Sequence, residues 1–427
     1  MSNTVTLTKK LTVKREYDVI VCGGGVAGVA AAVTAAKQGK STLLIEKSNI
    51  LGGLATLGRI NLFVPMCNGR GKQIIFGLCE KWARMSAQYG YDTIPAEWKD
   101  GEPTSYTEKR YVQRFSPYIF AFQLNEEIRA SGADILLDCM ACDPVMEGNI
   151  CRGVITESKS GMEYYTCEML IDATGDCDVL RRAGVPTVAG KNYYTYGVSA
   201  ISFDSIKAAL ETGEIRKAYY GISGGGINLF GDDQPSDVPQ WSGLTVEEVT
   251  DYLLTMQQNV LEKLKQTDRK TRDVAVMPMM PQFRTTAHIK GDYSLKVADA
   301  YRHFEDAVCA INDFEHRDHL FEVPLRTLCR KDHPNMITAG RGADGTGYGW
   351  DLLRVIPPAI LTGQAAAHAA CAAIEEKTAA ALVDIKKLQT VLENDNVMVH
   401  FPDSYLPEDR TVVIHGKNAA EIEGGHL

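Results

Sequence analysis

Tyr17-Asp18-Val19-Ile20-Val21-Cys22-Gly23-Gly24-Gly25-Val26-Ala27-Gly28 decides how the chain is read. Its first six residues are a short apolar run of strand type, and its glycines occupy the positions of a G-x-G-x-x-G turn. Val29 to Gln38 is alanine-rich and reads as a helix stopped by Gly39; Ser41 to Ile45 reads as a second strand ending at Glu46. Gly23 permits the tight turn, Gly25 lets the backbone approach a pyrophosphate, and Gly28 lets helix and strand pack closely. The helix N-terminus, reached through Val26 and Ala27 of the turn, offers N–H groups and a positive dipole end to the diphosphate. Glu46, 18 residues past the last motif glycine and followed by Lys47, would accept hydrogen bonds from both hydroxyls of an adenosine ribose. Any α/β protein can carry a glycine-rich turn; both strands and the acid in register point to a dinucleotide.

Further segments continue the pattern. Gly52-Gly53-Leu54-Ala55-Thr56 follows the ribose acid, and its glycine pair suits a backbone wrapped round a second phosphate or a ring edge. Met169 to Asp172 reads as a buried strand ending in the turn Ala173-Thr174-Gly175-Asp176, and Met336 to Arg341 repeats that design. Thr362-Gly363-Gln364-Ala365 is expected to open a long alanine-rich helix whose N-terminus faces an anionic ring.

Composition bounds the class. The 427 residues carry a net charge of −9 and are 45% apolar and 23% charged, as in an ordinary globular protein of two to four units. The acidic balance argues against a nucleic-acid groove. Eleven cysteines at irregular spacings read as buried thiols of a reducing cytoplasm, with Cys139 and Cys142 a lone C-x-x-C. Val19–Ala36 and Val355–Ile374 lack charge, but glycines break the first and Pro357, Pro358, Gln364 and His368 interrupt the second. Both read as buried elements, with no membrane span and no targeting signal in Met1 to Arg15.

With these motifs in order from Tyr17 to about Ala373, the chain resembles the bacterial FAD-dependent oxidoreductase family of the glutathione-reductase-like flavoprotein superfamily. It has distant similarity to fumarate reductase flavoprotein subunits and to the flavin subunit of heterodisulfide reductase. The resemblance implies an α/β fold: a Rossmann-like FAD-binding domain with a central parallel sheet and β-meander, plus an inserted α+β substrate domain. It implies FAD, bound non-covalently, with Glu46 on the adenosine ribose and Ala173 to Gly175 near the ADP half. Gly340 and Arg341 would lie near the pyrophosphate and ribityl chain, and Gly363 and Gln364 at the pyrimidine edge of the flavin. Asn61 and Phe63 would approach its reactive side. The chain departs from the family at Thr285, Ala287 and His288, where an acid and arginines are usual.

The expected domains are discontinuous: 14–66, 112–186 and 325–376 for FAD; 67–111 and 187–324 for substrate; 377–427 as a helix and extended tail. Tyr193, Tyr194, Tyr196, Tyr219, Tyr220 and Trp241 fall in the second insertion and would line a pocket or simply pack. Gly224-Gly225-Gly226 lacks a following ribose acid and reads as a loop.

Through flavin N5 such an enzyme would exchange a hydride with a small alcohol, amine or polarised C=C compound. The glycine-rich run after Arg341 makes Tyr348 and Asp351 the first acid/base candidates, and Arg354 a contact for flavin or an anionic substrate. Asp351 and Arg354, three apart, would equally pair with each other. Arg284 and His288, four apart, would form a carboxylate clamp if helical. His303, His316 and His319 read as the solvated face of a charged helix, and no metal is expected. A carboxylate-rich substrate would favour a fumarate-reductase-like reaction; a relay subunit acting with a partner protein is the non-enzymatic alternative. The expected partners are a small-molecule substrate and a separate electron donor or acceptor, and a homo-oligomer is compatible with the sequence.

Overall fold

Strand β1 (Val13–Cys22), helix α1 (Val26–Lys37) and strand β2 (Thr42–Ile45) open a computed structural model that describes residues 8–99, 110–193, 195–225, 234–414 and 416–424. Helix α2 (Pro117–Ser131), stopped by Gly132 in the left-handed region, leads into β3 (Asp134–Leu136), β4 (Met140–Glu147), β5 (Ile150–Ser158) and β6 (Gly161–Asp172). Much later, β7 (Met336–Thr338) and α3 (Ile356–Glu376) complete the unit. The sheet has seven strands in the order β3-β2-β1-β6-β5-β4, with β7 beside β6. Strands β3, β2, β1, β6 and β7 pair in parallel, while β4, β5 and the start of β6 form the antiparallel meander. This is the α/β architecture the sequence implied.

Register matters more than order. Cys22 stands beside Ile45 on one side and Asp172 on the other, and Thr338 pairs with Asp172. Four segments therefore leave the sheet at one level, and their next residues are Gly23, Glu46, Ala173 and Ala339. The carboxyl edge of a parallel sheet is where ligands of such folds collect.

Helix α1 buries ten of its twelve residues and α3 seventeen of twenty-one, so neither has a solvent face. Helices apolar all round belong in an interior, which explains why Val355–Ile374 resembled a membrane span. Among the described residues no helix is long and apolar enough to cross a membrane. The two helices meet through small residues: a Cβ at Gly363 would stand well inside contact distance of the Ala27 carbonyl oxygen, and one at Gly340 would lie 2.9 Å from the Ala27 methyl.

Two sequence expectations need correction here. Helix α3 begins at Ile356, so Gly363 and Gln364 lie in its buried middle and not at an N-terminus. Asp299 to His319 is not a helix: Ala307–Asn312 is a fully buried strand paired antiparallel with Leu320–Pro324. A strand buried on both faces shows no alternation, so its period could not be read.

The second layer is a three-stranded sheet, with Gly197–Ser202 between Tyr220–Ser223 and Arg272–Val276, and the helix Val246–Lys265 packed on it through Tyr252, Met256 and Val260. Trp241 and Tyr196 join this core; Tyr194 and Gly226 lie outside the described residues. The main core does not follow the expected insertion limits, since Cys79, Trp82, Trp98, Val308 and Phe321 share one cluster with α1 and α3.

Gly363→Ala tests the helix contact. It should lower stability by about 1–3 kcal/mol in denaturant unfolding, because the Ala27 backbone cannot retreat.

Candidate functional site

The dinucleotide end is assembled from backbone. Gly52 N–H donates to Gly24 O at 2.8 Å, so the 52–56 loop is fastened to the glycine-rich turn, and a Cβ at Gly53 would lie 3.1 Å from Gly25 Cα. A Cβ at Gly25 would meet nothing within 4 Å, whereas one at Gly23 or Gly28 would strike neighbouring backbone. Gly25 thus borders an open cradle, and Gly23 and Gly28 serve packing. No side chain caps α1 at this end, so its first-turn N–H groups face the cradle as phosphate donors. Glu46 is buried beside it, its two oxygens accepting the N–H groups of Gly24 at 2.6 Å and Ser48 at 2.7 Å. That fixes the carboxylate while each oxygen keeps a lone pair for a ribose hydroxyl. Lys47 beside it is exposed. An extended dinucleotide fits these residues.

The other cofactor candidates divide. Thr56 is fully buried, its hydroxyl donating to Leu51 O at 2.6 Å, and Ala55 is buried too, leaving Leu54 as the member of that loop on a cavity wall. Thr174 hydroxyl donates to Asp172, whose other oxygen accepts the Val179 and Leu180 N–H groups, so Ala173-Thr174-Gly175 is held as a rigid turn. Gln364 contacts Leu78 N–H and Asp395, away from the cavities. The helix end on the cavity wall is instead Arg354-Val355-Ile356.

That cavity, of about 940 Å³, is the second half of the site. Among its described lining residues are six arginines (Arg59, Arg114, Arg216, Arg284, Arg341 and Arg354) and a single acid, Glu315. Carboxylates outside the lining pair with three of the arginines: Asp351 with Arg354 at 2.5 Å, Glu214 with Arg216 at 2.6 Å, and Asp176 with Arg341 at 2.6 Å. Six guanidinium groups against four carboxylates leave an excess of two positive charges. Arg284 carries the strain of this: burial, then the neighbouring Arg354 charge, lowers its pKa to about 10. Arg59 Nε and Arg354 Nη2 are buried without a hydrogen-bond partner among the described residues. Buried guanidinium nitrogens left so are costly unless a ligand supplies the acceptor. Tyr196, Tyr219 and Tyr220 line this cavity, Tyr193 a second one, and Asn61 the first, while Phe63 is core.

The expected acid/base residues fare differently. Tyr348 is fully buried, lines neither cavity and donates to Asp313 at 2.7 Å; burial, then the Asp313 charge, pushes its phenol far above its usual range. Its hydroxyl is engaged in the core, away from both cavities. Asp351 is tied to Arg354, the pairing the sequence offered as the alternative, and lines the second cavity, of about 1010 Å³. Arg284 and His288 form no clamp, because Ala287–Ile289 is a strand and not a helix. His288 is buried against Trp350, 3.3 Å from Asp344; burial holds its pKa down. Arg284 borders both cavities. His303, His316 and His319 share no helix face: His303 is exposed yet contacts buried Glu322, and the other two contact buried Asp313. Glu315, Arg59, Arg114 and Arg216 were not singled out by the sequence, which gives them no shared motif.

Fold and site together define a nucleotide-binding α/β protein with a cationic pocket beside its cofactor edge. The chain belongs to the FAD-dependent oxidoreductase family, whose profile matches residues 18–199 and 209–392, and FAD is its cofactor. It is 28% identical over 186 residues to digeranylgeranylglycerophospholipid reductase of Methanoculleus marisnigri, covering 41% of this chain and 43% of that protein. The same enzyme from Methanospirillum hungatei is 30% identical over 41% of this chain and 42% of its own length. A 3-oxosteroid 1-dehydrogenase of Mycolicibacterium smegmatis is 45% identical over 51 residues, 12% of this chain and 9% of that one. The reductases' matches span about two fifths of their length. Among solved structures, a geranylgeranyl bacteriochlorophyll reductase-like protein of Thermoplasma acidophilum aligns with a TM-score of 0.45 and 13% identity, covering 92% of this chain and 94% of that one.

Gly25→Val should fold with near-normal thermal stability, since its side chain enters open space, yet lose flavin. A variant purified with full flavin absorbance would remove Gly25 from the phosphate cradle.

Proposed function

We propose that this enzyme transfers a hydride between FAD and a small organic acid held in the arginine-lined cavity. The buried, unpartnered Arg59 Nε and Arg354 Nη2, in a cavity with excess positive charge, carry the reading. Bound FAD supplies the redox chemistry. Arg284 and Arg354 bind the substrate carboxylate, relieving their mutual repulsion, and Arg59 donates from Nε. Burial of these groups strengthens each charge-assisted bond. Glu315, the one acid on the described lining, holds or delivers the proton through its carboxylate oxygen. Of the candidates named from sequence, Gly25, Val26, Ala27 and Glu46 hold the ADP half, with Gly23 and Gly28 packed behind them and Gly53, Ala173 and Gly340 closing round them; Arg341 is a strut. FAD is held non-covalently, and electrons pass to or from a separate donor or acceptor. The eleven cysteines are all free thiols, which suits a reducing cytoplasm.

Two measurements test this. Acid precipitation should release the flavin into the supernatant. Anaerobic titration of the holoenzyme with small mono- and dicarboxylates should perturb the flavin spectrum, and Arg284→Met or Arg354→Met should weaken binding by about tenfold or more, the worth of one charged hydrogen bond. A wild-type spectrum indifferent to every carboxylate, or variants that bind them equally well, would overturn the proposal.

A further inference from the structure

The loop joining the buried strands Ala307–Asn312 and Leu320–Pro324 reads Asp313-Phe314-Glu315-His316-Arg317-Asp318-His319, a D-x-x-H-x-x-H spacing. Counting histidines alone hid it, because the carboxylate completes the pattern. Both imidazoles aim Nδ1 at the same atom, Asp313 Oδ2, and both stand 3.3 Å from it. An N–H···O bond ordinarily closes to about 2.9 Å, so both contacts to Oδ2 are long ones. The spacing instead matches the edge of a coordination tetrahedron, about 3.3–3.4 Å when each ligand lies about 2.0–2.1 Å from the centre.

We propose that Asp313 Oδ2, His316 Nδ1 and His319 Nδ1 bind a divalent transition-metal ion of the zinc class. The carboxylate is set for it. Oδ1 already accepts the N–H groups of Glu315 at 2.8 Å and His316 at 3.0 Å and the Tyr348 hydroxyl at 2.7 Å, so Oδ2 faces only the two long imidazole contacts among the described residues. Such outer partners orient metal-binding carboxylates, which gives the buried Tyr348 a purpose that proton transfer does not. Asp313 and His319 are buried and His316 is half-buried, so a water or entering ion reaches the remaining position from the His316 side. Arg110 donates to the Asp313 carbonyl and adds a positive charge nearby, with Asp318 as a second carboxylate acting on it. A two-nitrogen, one-oxygen donor set suits zinc or ferrous iron better than calcium or magnesium. The other His/carboxylate cluster, Glu322 with His303 and His400, closes at 2.6 and 3.0 Å, ordinary hydrogen-bond distances, and needs no ion. Phe314 and Glu315 lie between the ligands and on the arginine-lined cavity, so the ion would clamp the loop that delivers them.

Holoenzyme stripped by dialysis against a chelator and titrated with zinc chloride should take up one zinc per chain, with a rise in Tm. His316→Ala and His319→Gln should each weaken uptake by at least about tenfold at unchanged flavin content, and His400→Ala should leave it intact. His316, the half-buried ligand, decides the matter if the His319 variant folds poorly. Wild-type protein that takes up no zinc overturns the site, as does zinc lost in His400→Ala but kept in His316→Ala.

Discussion

Arg341 ties together three parts of the chain that are far apart in sequence. Its Nε donates to Gly175 O at 2.8 Å, Nη1 to Phe283 O, and Nη2 to Asp176 at 2.6 Å. One end of this strut is the turn after β6, the second is the approach to the strand Ala287–Ile289, and the base is the exit of β7. Because the guanidinium is buried, losing any acceptor would leave a charged donor unpaired, a penalty of several kcal/mol. The cofactor edge and the arginine-lined cavity keep their relation through this residue. Arg341, expected near the pyrophosphate and ribityl chain, commits three of its donors to these struts while still lining the cavity.

What could be read early was what is local. Residues 17–46 contain a complete strand, turn, helix and strand whose neighbours in space are neighbours in sequence, and that succession of elements was placed correctly from them. The turn at 173–175 was also legible, and the meander, implied by the resemblance, turns at Glu147-Gly148-Asn149 between two of its strands. Helix α3 was misplaced for a physical reason. Pro357 and Pro358 look like breakers, but proline in a first helical turn costs nothing because no N–H is needed there. The helix therefore starts before Gly363, and the expected flavin contacts at Gly363 and Gln364 become packing residues.

The cavity was the least legible part. Arg59, Arg114, Arg216, Arg284 and Arg354 come from five separate segments and share no spacing, so only the closed chain brings them together. Tyr348 and Asp351 misled for the opposite reason: they lie next to a cofactor motif in sequence, yet the helix Tyr348–Arg354 points the tyrosine into the core and the aspartate onto its own arginine. Adjacency along the chain places a backbone, not the direction of a side chain.

The prolines of α3 also decide how its end meets whatever enters the cavity. Of the first four residues only Ile356 and Ala359 carry an N–H, and Ala359 donates back to Val355 O at 3.0 Å. The helix offers a favourable field but one backbone donor, so an anion there is held by side-chain charge. The chain around it carries −9 overall. A cationic recess in an acidic surface focuses its potential into the mouth and quickens the capture of small anions, while bulky polyanions are repelled. At physiological salt that field reaches only about 8 Å. Capture should therefore slow as ionic strength rises, with the bond-making step inside untouched.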